Sequence, residues 1–152
     1  MPTSIEIPIN NSALKLRDTA TGKEVWDNIR KQWVVLTPEE FVRQQIILFL
    51  TEHKDYPTAL IAVEKGIKLN GTQKRCDIII YNHDGKAVMI IECKAPEVNI
   101  SQDTFDQVAR YNLTLQVPYL FVSNGHSGYC CKVDLESGGI VYLEEVPGFG
   151  AL

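Results

Sequence analysis

The sequence predicts an α/β fold in which one central mixed β-sheet is flanked by helices on both faces. Three observations predict it. A β-hairpin pattern occupies residues 75–94, a segment with helix-capping residues lies on each side of that hairpin, and further short apolar runs follow the second helix. Because helical segments precede and follow the hairpin, we expect helices to cover both faces of one sheet.

Length and composition fit one globular domain. The chain has 152 residues, of which 45% are hydrophobic, so it is long enough to bury a core of its own. We predict a single domain over residues 1–152, with residues 1–22 as an N-terminal extension and residues 147–152 as a C-terminal tail.

The first 36 residues give the weakest secondary-structure signals. Leu14 and Leu16 indicate a short strand, and residues 18–22 have the composition of a turn. Residues 23–36 fit a helical apolar stripe loosely, but residues 33–36 also fit an extended strand. The sequence therefore leaves helix and strand open for this segment.

Capping residues mark the start of two helices. Thr37 is an N-cap, Pro38 occupies the first helical position and Glu40 the third, which is a capping box opening a helix to about Lys54. Ser101 caps a second helix over residues 102–115. Apolar runs predict strands at residues 60–64, 119–122, 129–133 and 140–143.

The hairpin in residues 75–94 is the clearest signal. Two apolar, β-branched runs flank turn residues that end in Asp84 and Gly85. If the turn is centred between these two residues, Asp77 faces Glu92 across the strands. Directly opposed like charges destabilise a sheet, and the neighbouring isoleucines reduce hydration, so we expect a positive charge between the two carboxylates.

Lys94 is the candidate for that positive charge. It follows Glu92 at i+2 and projects from the same face of the strand, whereas Cys93 points to the opposite face. Two carboxylates and an ammonium then converge, which suits a hard divalent cation and a metal-bound water. The competing interpretation is an ion cluster without a metal, which would bury two like charges with one counter-charge.

Charge and cysteine content exclude several classes of protein. The net charge of −4 does not indicate a nucleic-acid binder, so any phosphate contact must come from a metal or from a local basic patch. The most basic stretch is residues 65–75, which we expect to form a loop. The four cysteines lack CxxC spacing and are predicted to be buried free thiols. Neither a membrane span nor a signal peptide is apparent, so we expect a cytoplasmic protein.

Several motifs carry a family resemblance. Asp77, followed fifteen residues later by Glu92-Cys93-Lys94, resembles the D…ExK signature of the PD-(D/E)XK nuclease superfamily. Gln107 and Tyr111 match the QxxxY pattern of its helicase-linked members, and Glu40 lies where the family often places an additional acid. Segments 37–44 and 121–125 are similar to the N-terminal region of type I restriction enzyme R subunits.

This resemblance, which runs from about residue 25 to residue 146, implies a restriction-endonuclease-like α/β/α core that cuts DNA with Mg²⁺, or with Mn²⁺ as a substitute. Asp77, Glu92 and the Cys93 backbone carbonyl would coordinate the metal. Lys94 would orient the attacking water and stabilise charge on the phosphate, and Glu40 would be a further catalytic acid. The residues expected to contact the substrate are Gln107, Tyr111, Lys74 and Arg75.

Alternatives remain open at each level. Glu40 could act only in the capping box, and Gln107 and Tyr111 could be a polar helix face and a half-buried aromatic ring. The chain could be a catalytically silent DNA-binding or assembly module that keeps the nuclease fold, or a DNA-repair or RNA nuclease. Helicase or translocase and specificity subunits of a restriction complex are expected partners outside this chain, which has no GxxxxGK[ST] motif. A homodimer is a further option.

Overall fold

A computed structural model describes residues 4–8, 13–69 and 71–152, with the backbone alone at residues 67–69, 72–74, 111, 113 and 114. The helices are α1 (Pro38–His53) and α2 (Gln102–Leu115). The strands are β1 (Ile5–Glu6), β2 (Leu16–Thr19), β3 (Gly22–Asp27), β4 (Gln32–Val35), β5 (Ile61–Leu69), β6 (Thr72–Tyr81), β7 (Ala87–Cys93), β8 (Tyr119–Ser123), β9 (Ser127–Val133) and β10 (Ile140–Leu143). Short 3-10 turns lie at Thr58–Leu60 and Phe149–Ala151.

Seven strands form the central sheet, in the order β1-β9-β8-β7-β6-β5, with β10 also paired to β9. The β7 and β8 strands are parallel, whereas the other strand pairs of this sheet are antiparallel. The predicted mixed sheet is therefore confirmed. Helix α2 connects the two parallel strands, as a crossover between parallel neighbours requires.

The two helices cover opposite faces of this sheet. On β6, Ile78 and Ile80 pack in the cluster that contains Val42 and Ile46 of α1. The intervening Ile79 packs in a second cluster that contains the α2 side chains. Successive residues of a strand face opposite sides, so apolar residues at consecutive positions fill both cores. The predicted placement of helices on both faces is confirmed.

Both helices begin where the capping residues predicted. The side chain of Thr37 accepts a hydrogen bond from the Glu40 N–H at 3.0 Å, and that of Ser101 accepts one from the Thr104 N–H at 3.1 Å. The second hydrogen bond of the predicted capping box, from the Thr37 N–H to the Glu40 carboxylate, is wrong, because the Thr37 N–H donates to the carbonyl oxygen of Val35 instead. The carboxylate of Glu40 is thus available for other partners.

Residues 16–35 form a separate three-stranded antiparallel sheet in the order β2-β3-β4. The helical option for residues 23–36 is wrong, and the extended option at their end is right. The register pairs Trp26 with Trp33, and strand alternation buries Val25 and Asp27 while their neighbours stay more exposed. The predicted short strand at Leu16 is confirmed.

Both chain ends contribute to the folded unit. Ile5 and Ile7, in the predicted N-terminal extension, are buried in the α1-side core. In the predicted tail, the Phe149 N–H donates to the Lys54 carbonyl at 2.9 Å, and the Tyr56 hydroxyl donates to the Pro147 carbonyl at 2.8 Å. These contacts anchor both segments to the domain.

The basic residues 65–75 are not a loop, because most of them extend β5 and β6 as a two-stranded ribbon. The four cysteines are free and buried, as predicted. Burial, with the neighbouring Cys131 as a lesser cause, raises the pKa of the Cys130 thiol to about 12, so this thiol stays protonated at neutral pH. Within the described ranges, no helix is both long and apolar enough to cross a membrane.

Gly128 on β9 provides a test of the packing between β8 and β9. A Cβ at this position would lie 2.6 Å from the Val122 carbonyl oxygen and 2.7 Å from the Phe121 ring. We expect Gly128→Ala to lower the free energy of unfolding by about 2–3 kcal/mol, because the backbone oxygen cannot move without breaking strand pairing. Urea denaturation measures this loss.

Gly150→Ala is the matched control, since a Cβ there meets nothing within 4 Å. We expect its free energy of unfolding to stay within about 0.5 kcal/mol of the wild-type value. Equal stability of the two variants would contradict the close packing of β9 on β8.

Candidate functional site

The β6–β7 hairpin has the predicted register in its central part. The pairs are Ile78 with Ile91, Ile79 with Ile90 and Ile80 with Met89, and the register shifts only beyond Ile80, towards the turn. Asp77 and Glu92 occupy the next positions in the same register, at the end away from the turn. The predicted register is thus confirmed from Ile78 to Ile80, and the opposition of Asp77 and Glu92 stays a prediction.

Asp77 is held by the backbone of β7. Its Oδ2 atom accepts a hydrogen bond from the Cys93 N–H at 2.8 Å, and its Oδ1 atom lies 3.5 Å from Nη2 of Arg43 on α1. The side chain is 26% exposed. One carboxylate oxygen is therefore fixed at the sheet, and the other has only a long contact to an arginine and remains accessible to a ligand.

Glu92 and Lys94 flank the residue to which Asp77 is bound. Glu92 is half-buried on β7, where it pairs with Val122 of the parallel strand β8. The Lys94 N–H donates to the Ser123 carbonyl at 2.9 Å, so the backbone of this segment is fixed between β6 and β8. Convergence of the Lys94 ammonium with the two carboxylates stays a prediction.

The charges around this segment act on the pKa of the Cys93 thiol. Burial raises its pKa well above the usual value, and the negative charges of Asp77, Glu92 and Glu40 raise it further, whereas Arg43 opposes them. Three carboxylates therefore lie close enough to Cys93 to act on its thiol. A thiol whose pKa is raised in this way stays protonated at neutral pH.

Glu40 is buried at the start of α1 and bound by two arginines. Its Oε1 atom accepts hydrogen bonds from Nη2 of Arg30 at 2.6 Å and from Nη1 of Arg43 at 2.8 Å, and its Oε2 atom accepts one from Gln44 at 3.1 Å. The capping-box position brings Glu40 to the first turn, but its carboxylate serves a tertiary ion cluster. Whether it also acts in catalysis stays a prediction.

This cluster, which we call the arginine–carboxylate network, extends to three further elements. Its seven members are Asp27, Arg30, Glu40, Arg43, Glu64, Arg75 and Asp77. Arg30 also binds Asp27 at 2.6 Å, and Arg43 also lies 3.3 Å from Glu64. The network thereby joins the three-stranded sheet, α1, β5 and β6 around the candidate site.

Arg43 is the member that links Glu40 to Asp77. It contacts Glu40, Glu64 and Asp77, its side chain is 5% exposed, and its buried Nε has no hydrogen-bond partner. The contact with Glu40 is the shortest of the three, so Arg43 is anchored on α1 and held only loosely at Asp77. Sequence reasoning missed Arg43, although its i+3 spacing from Glu40 on a helix was a usable signal.

Glu64 reaches the network through an unusual backbone conformation. Its φ is +49°, in the left-handed region that costs a non-glycine residue roughly 1–3 kcal/mol. It lies between the pairs Val63–Ile78 and Lys65–Cys76, which is the position opposite Asp77. There it contacts Arg43, Arg30 and Arg75, and these ion pairs offset the backbone strain.

Of the remaining predicted residues, Arg75 belongs to the network, Gln107 lies on α2, and the side chains of Lys74 and Tyr111 are outside those described. Gln107 is exposed on α2, and the side chain of Tyr111 on the same helix is not among those described. Lys74 pairs through its backbone with Ile67, and its side chain is also undescribed. Arg75 is largely exposed and binds Glu64. Their roles in substrate binding stay predictions.

The donor set at Asp77 fits a magnesium ion. Magnesium is commonly held by one or two carboxylates together with waters, and Asp77 and Glu92 supply hard oxygen donors beside the Cys93 carbonyl. In the part of the chain that the structure describes, no group of three or more His, Cys, Asp or Glu side chains is arranged to hold a metal. Any ion here would therefore rely on backbone oxygen and water.

Comparison with known proteins identifies relatives of this chain. Residues 38–147 match the family described as type I restriction enzyme R protein N terminus. No curated protein matches. The fold is similar to that of a fragment described as an HsdR subunit of a type I restriction enzyme from Vibrio vulnificus YJ016, with a TM-score of 0.51 and 20% identity. The match covers 74% of this chain and 24% of that one.

Neutralising Glu40 tests the network. We expect Glu40→Gln to lower the free energy of unfolding by about 3 kcal/mol, because the buried guanidiniums of Arg30 and Arg43 lose their shared counter-charge. Glu39→Gln is the matched control, since Glu39 occupies the same helical turn but is exposed. Equal effects of the two changes in chemical denaturation would contradict a stabilising network.

Asp27 gives the network a pH dependence. Burial would raise the pKa of its carboxyl, but hydrogen bonds from Arg30 and from the Ile29 N–H, with the charge of Arg30, hold it below its usual value. A depressed pKa in the folded state stabilises the protein above the unfolded pKa, and this stabilisation is lost as pH falls.

We therefore expect the stability difference between wild type and Asp27→Asn to be largest near neutral pH and to shrink below pH 3.8, the ordinary value for this group. Urea unfolding across that range measures it. Asp18→Asn, at an exposed position, is the matched control. A constant difference for Asp27→Asn across the range would contradict the linkage.

Proposed function

Since this chain belongs to the family of type I restriction enzyme R protein N termini, we propose that it is the Mg²⁺-dependent DNA endonuclease domain of such a subunit. The observation that carries the proposal is the hydrogen bond that the Asp77 carboxylate accepts from the Cys93 N–H. Cys93 is the residue between Glu92 and Lys94. These residues have the D…ExK pattern of PD-(D/E)XK nucleases, and the hairpin register, which pairs Ile78 with Ile91, supports placing the two acids at the same end of the ladder.

Asp77, Glu92 and the Cys93 carbonyl would hold the metal. When bound, Mg²⁺ or Mn²⁺ would polarise the scissile phosphate and lower the pKa of a water molecule. Asp77 suits this role because the Cys93 N–H fixes one oxygen and leaves the other partly exposed. Lys94 would orient the attacking water and stabilise the negative charge that grows on the phosphate.

The remaining predicted residues would act on the DNA backbone. Arg75 is exposed on the β5–β6 ribbon, close to Asp77 in the sequence, and would contact a phosphate together with Lys74. Gln107 and Tyr111 would contact the strand from α2. Because the net charge of the chain is −4, we propose that translocase and specificity subunits supply much of the affinity for DNA.

One observation favours a second candidate, a catalytically silent DNA-binding or assembly module. Arg43 already lies beside Asp77, and Arg30 and Arg43 neutralise Glu40, so arginines could replace the metal as permanent counter-charges. In that case the acids would stabilise the fold alone. The two candidates differ in whether a divalent cation binds at Asp77 and whether DNA is cut.

A cleavage assay on linear and supercoiled DNA with Mg²⁺, Mn²⁺ or EDTA tests the proposal. We expect metal-dependent cutting that falls by at least about 100-fold in Asp77→Asn and in Lys94→Ala, because a ligand and a charge-stabilising group are removed. Asp84→Asn and Lys86→Ala are matched controls, since both residues are exposed in the turn of the same hairpin.

Thermal unfolding with and without Mg²⁺ separates the two candidates. Stabilisation by Mg²⁺ that is lost in Asp77→Asn but kept in Asp84→Asn supports the metal site. If Mg²⁺ does not stabilise the wild-type protein and DNA is not cut, the silent module, with arginines in place of the metal, is the better description. If Mg²⁺ and Mn²⁺ change neither stability nor DNA, the metal assignment is wrong.

A further inference from the structure

Both tryptophans of the chain lie side by side on the three-stranded sheet. Trp26 on β3 pairs directly with Trp33 on β4, and the two rings meet edge to face with centroids 5.6 Å apart. The ammonium of Lys15 lies over both rings, at 5.9 and 5.8 Å, and the guanidinium of Arg17 lies 4.3 Å from the Trp33 ring. We call these four residues the tryptophan face.

The tryptophan face lies on the side of β3 opposite to Val25 and Asp27. Strand alternation buries those two residues, and the intervening Trp26 faces the other way, where it lines a cleft bordered by α1. Trp33 shares that side because it pairs with Trp26. Both tryptophans are only partly buried, so a ligand can reach them from solvent, next to the cations that already lie over the rings.

A local positive charge accompanies the rings. Residues 15–35 carry five basic and three acidic side chains, whereas the whole chain has a net charge of −4. Arg17 shares its charge with Glu24 at 2.7 Å, and Lys15 is exposed next to the rings. Aromatic surfaces bordered by cations match a ligand that has both flat rings and phosphates.

We propose that the tryptophan face binds single-stranded DNA, with unpaired bases stacked on Trp26 and Trp33 and with phosphates beside Lys15 and Arg17. A duplex hides the flat surfaces of its bases in the stack, so an unpaired strand is the better fit. The choice of DNA over RNA rests on the proposed function, but the binding does not require a metal or cleavage at Asp77.

The position of the face in the fold relates it to the candidate active site. Asp27 lies on the other side of β3 and is bound to Arg30, which also binds Glu40. The same small sheet therefore contacts the arginine–carboxylate network with one side and presents the tryptophan face with the other. An unpaired strand held here would be attached to an element that packs directly beside the site.

A purely structural role is the competing explanation. A cross-strand aromatic pair contributes about 0.5–1.5 kcal/mol to a sheet, and cations often lie over such rings without any ligand. In that case the fluorescence of the tryptophans would not respond to DNA. The structural role and the binding role therefore predict different results in one measurement.

Intrinsic tryptophan fluorescence tests the proposal directly, because Trp26 and Trp33 are the two tryptophans of the sequence. The protein is titrated in EDTA, so that cleavage cannot occur, with a single-stranded oligodeoxynucleotide, the corresponding duplex, the matching RNA and an abasic strand of equal length. We expect saturable quenching by the single strand and at least about tenfold weaker binding of the abasic strand, since stacking is lost.

Variants separate stacking from charge. We expect Trp33→Leu to weaken binding of the single strand about tenfold, as measured by anisotropy. We expect Lys15→Ala to reduce the slope of log Kd against log salt concentration by about 0.7, because one phosphate contact is lost. Lys23→Ala is the matched control, because it removes the same charge from an exposed lysine. Lys23 is bound to Asp18 and lies on the side of β3 opposite to the tryptophan face. Circular dichroism verifies that each variant is folded.

Absence of quenching by the single strand would overturn the proposal, as would equal binding of the abasic strand or equal effects of Lys15→Ala and Lys23→Ala. Tighter binding of the duplex would overturn the choice of an unpaired strand, and tighter binding of the RNA would overturn the choice of DNA. Because all titrations lack a divalent metal, loss of nuclease activity in Asp77→Asn and loss of binding in Trp33→Leu are independent results.

Discussion

A single buried carboxylate, that of Glu40, connects most of the elements on the α1 side of the domain. It binds Arg30 from the turn after β3 and Arg43 from its own helix, and these two arginines bind Asp27, Glu64 and Asp77 in turn. Because guanidinium groups form several directed hydrogen bonds at once, the network fixes the relative positions of α1, β5, β6 and the small sheet. Removing one charge leaves its partners buried and uncompensated.

The candidate active site lies where this network meets the end of the β6–β7 ladder. The regular pairing ends at Ile78 and Ile91, and the carboxylate of Asp77 takes the place of a backbone acceptor by binding the Cys93 N–H. A buried N–H left without a partner would be costly, so this bond also stabilises the sheet. Asp77 consequently has a structural bond through one oxygen, and its other oxygen lies 3.5 Å from Nη2 of Arg43.

The match to the type I restriction enzyme R protein N-terminal family covers residues 38–147 of this chain. The chain spans 24% of the related chain from Vibrio vulnificus, so the domain corresponds to a fraction of that protein. Under our proposals, Asp77, Glu92 and Lys94 cut DNA, the tryptophan face holds an unpaired strand, and other subunits supply further contacts. The acidic net charge is compatible with this division because only local patches need to meet phosphate.

The sequence by itself determined the features that depend on local chemistry. Thr37 and Ser101 start the two helices because each side chain accepts a hydrogen bond from a nearby N–H, and the apolar runs of β6 and β7 set the register that pairs Ile78 with Ile91. The small sheet escaped prediction because the Trp26–Trp33 pairing, which makes residues 23–36 extended, depends on contacts across strands. Only the tertiary structure decided that Arg30 is a partner of Glu40, whereas Arg43 and Gln44 lie at i+3 and i+4 on the same helix. Arg30 lies ten residues away on another element, and no local spacing rule relates two charges that folding alone brings to 2.6 Å.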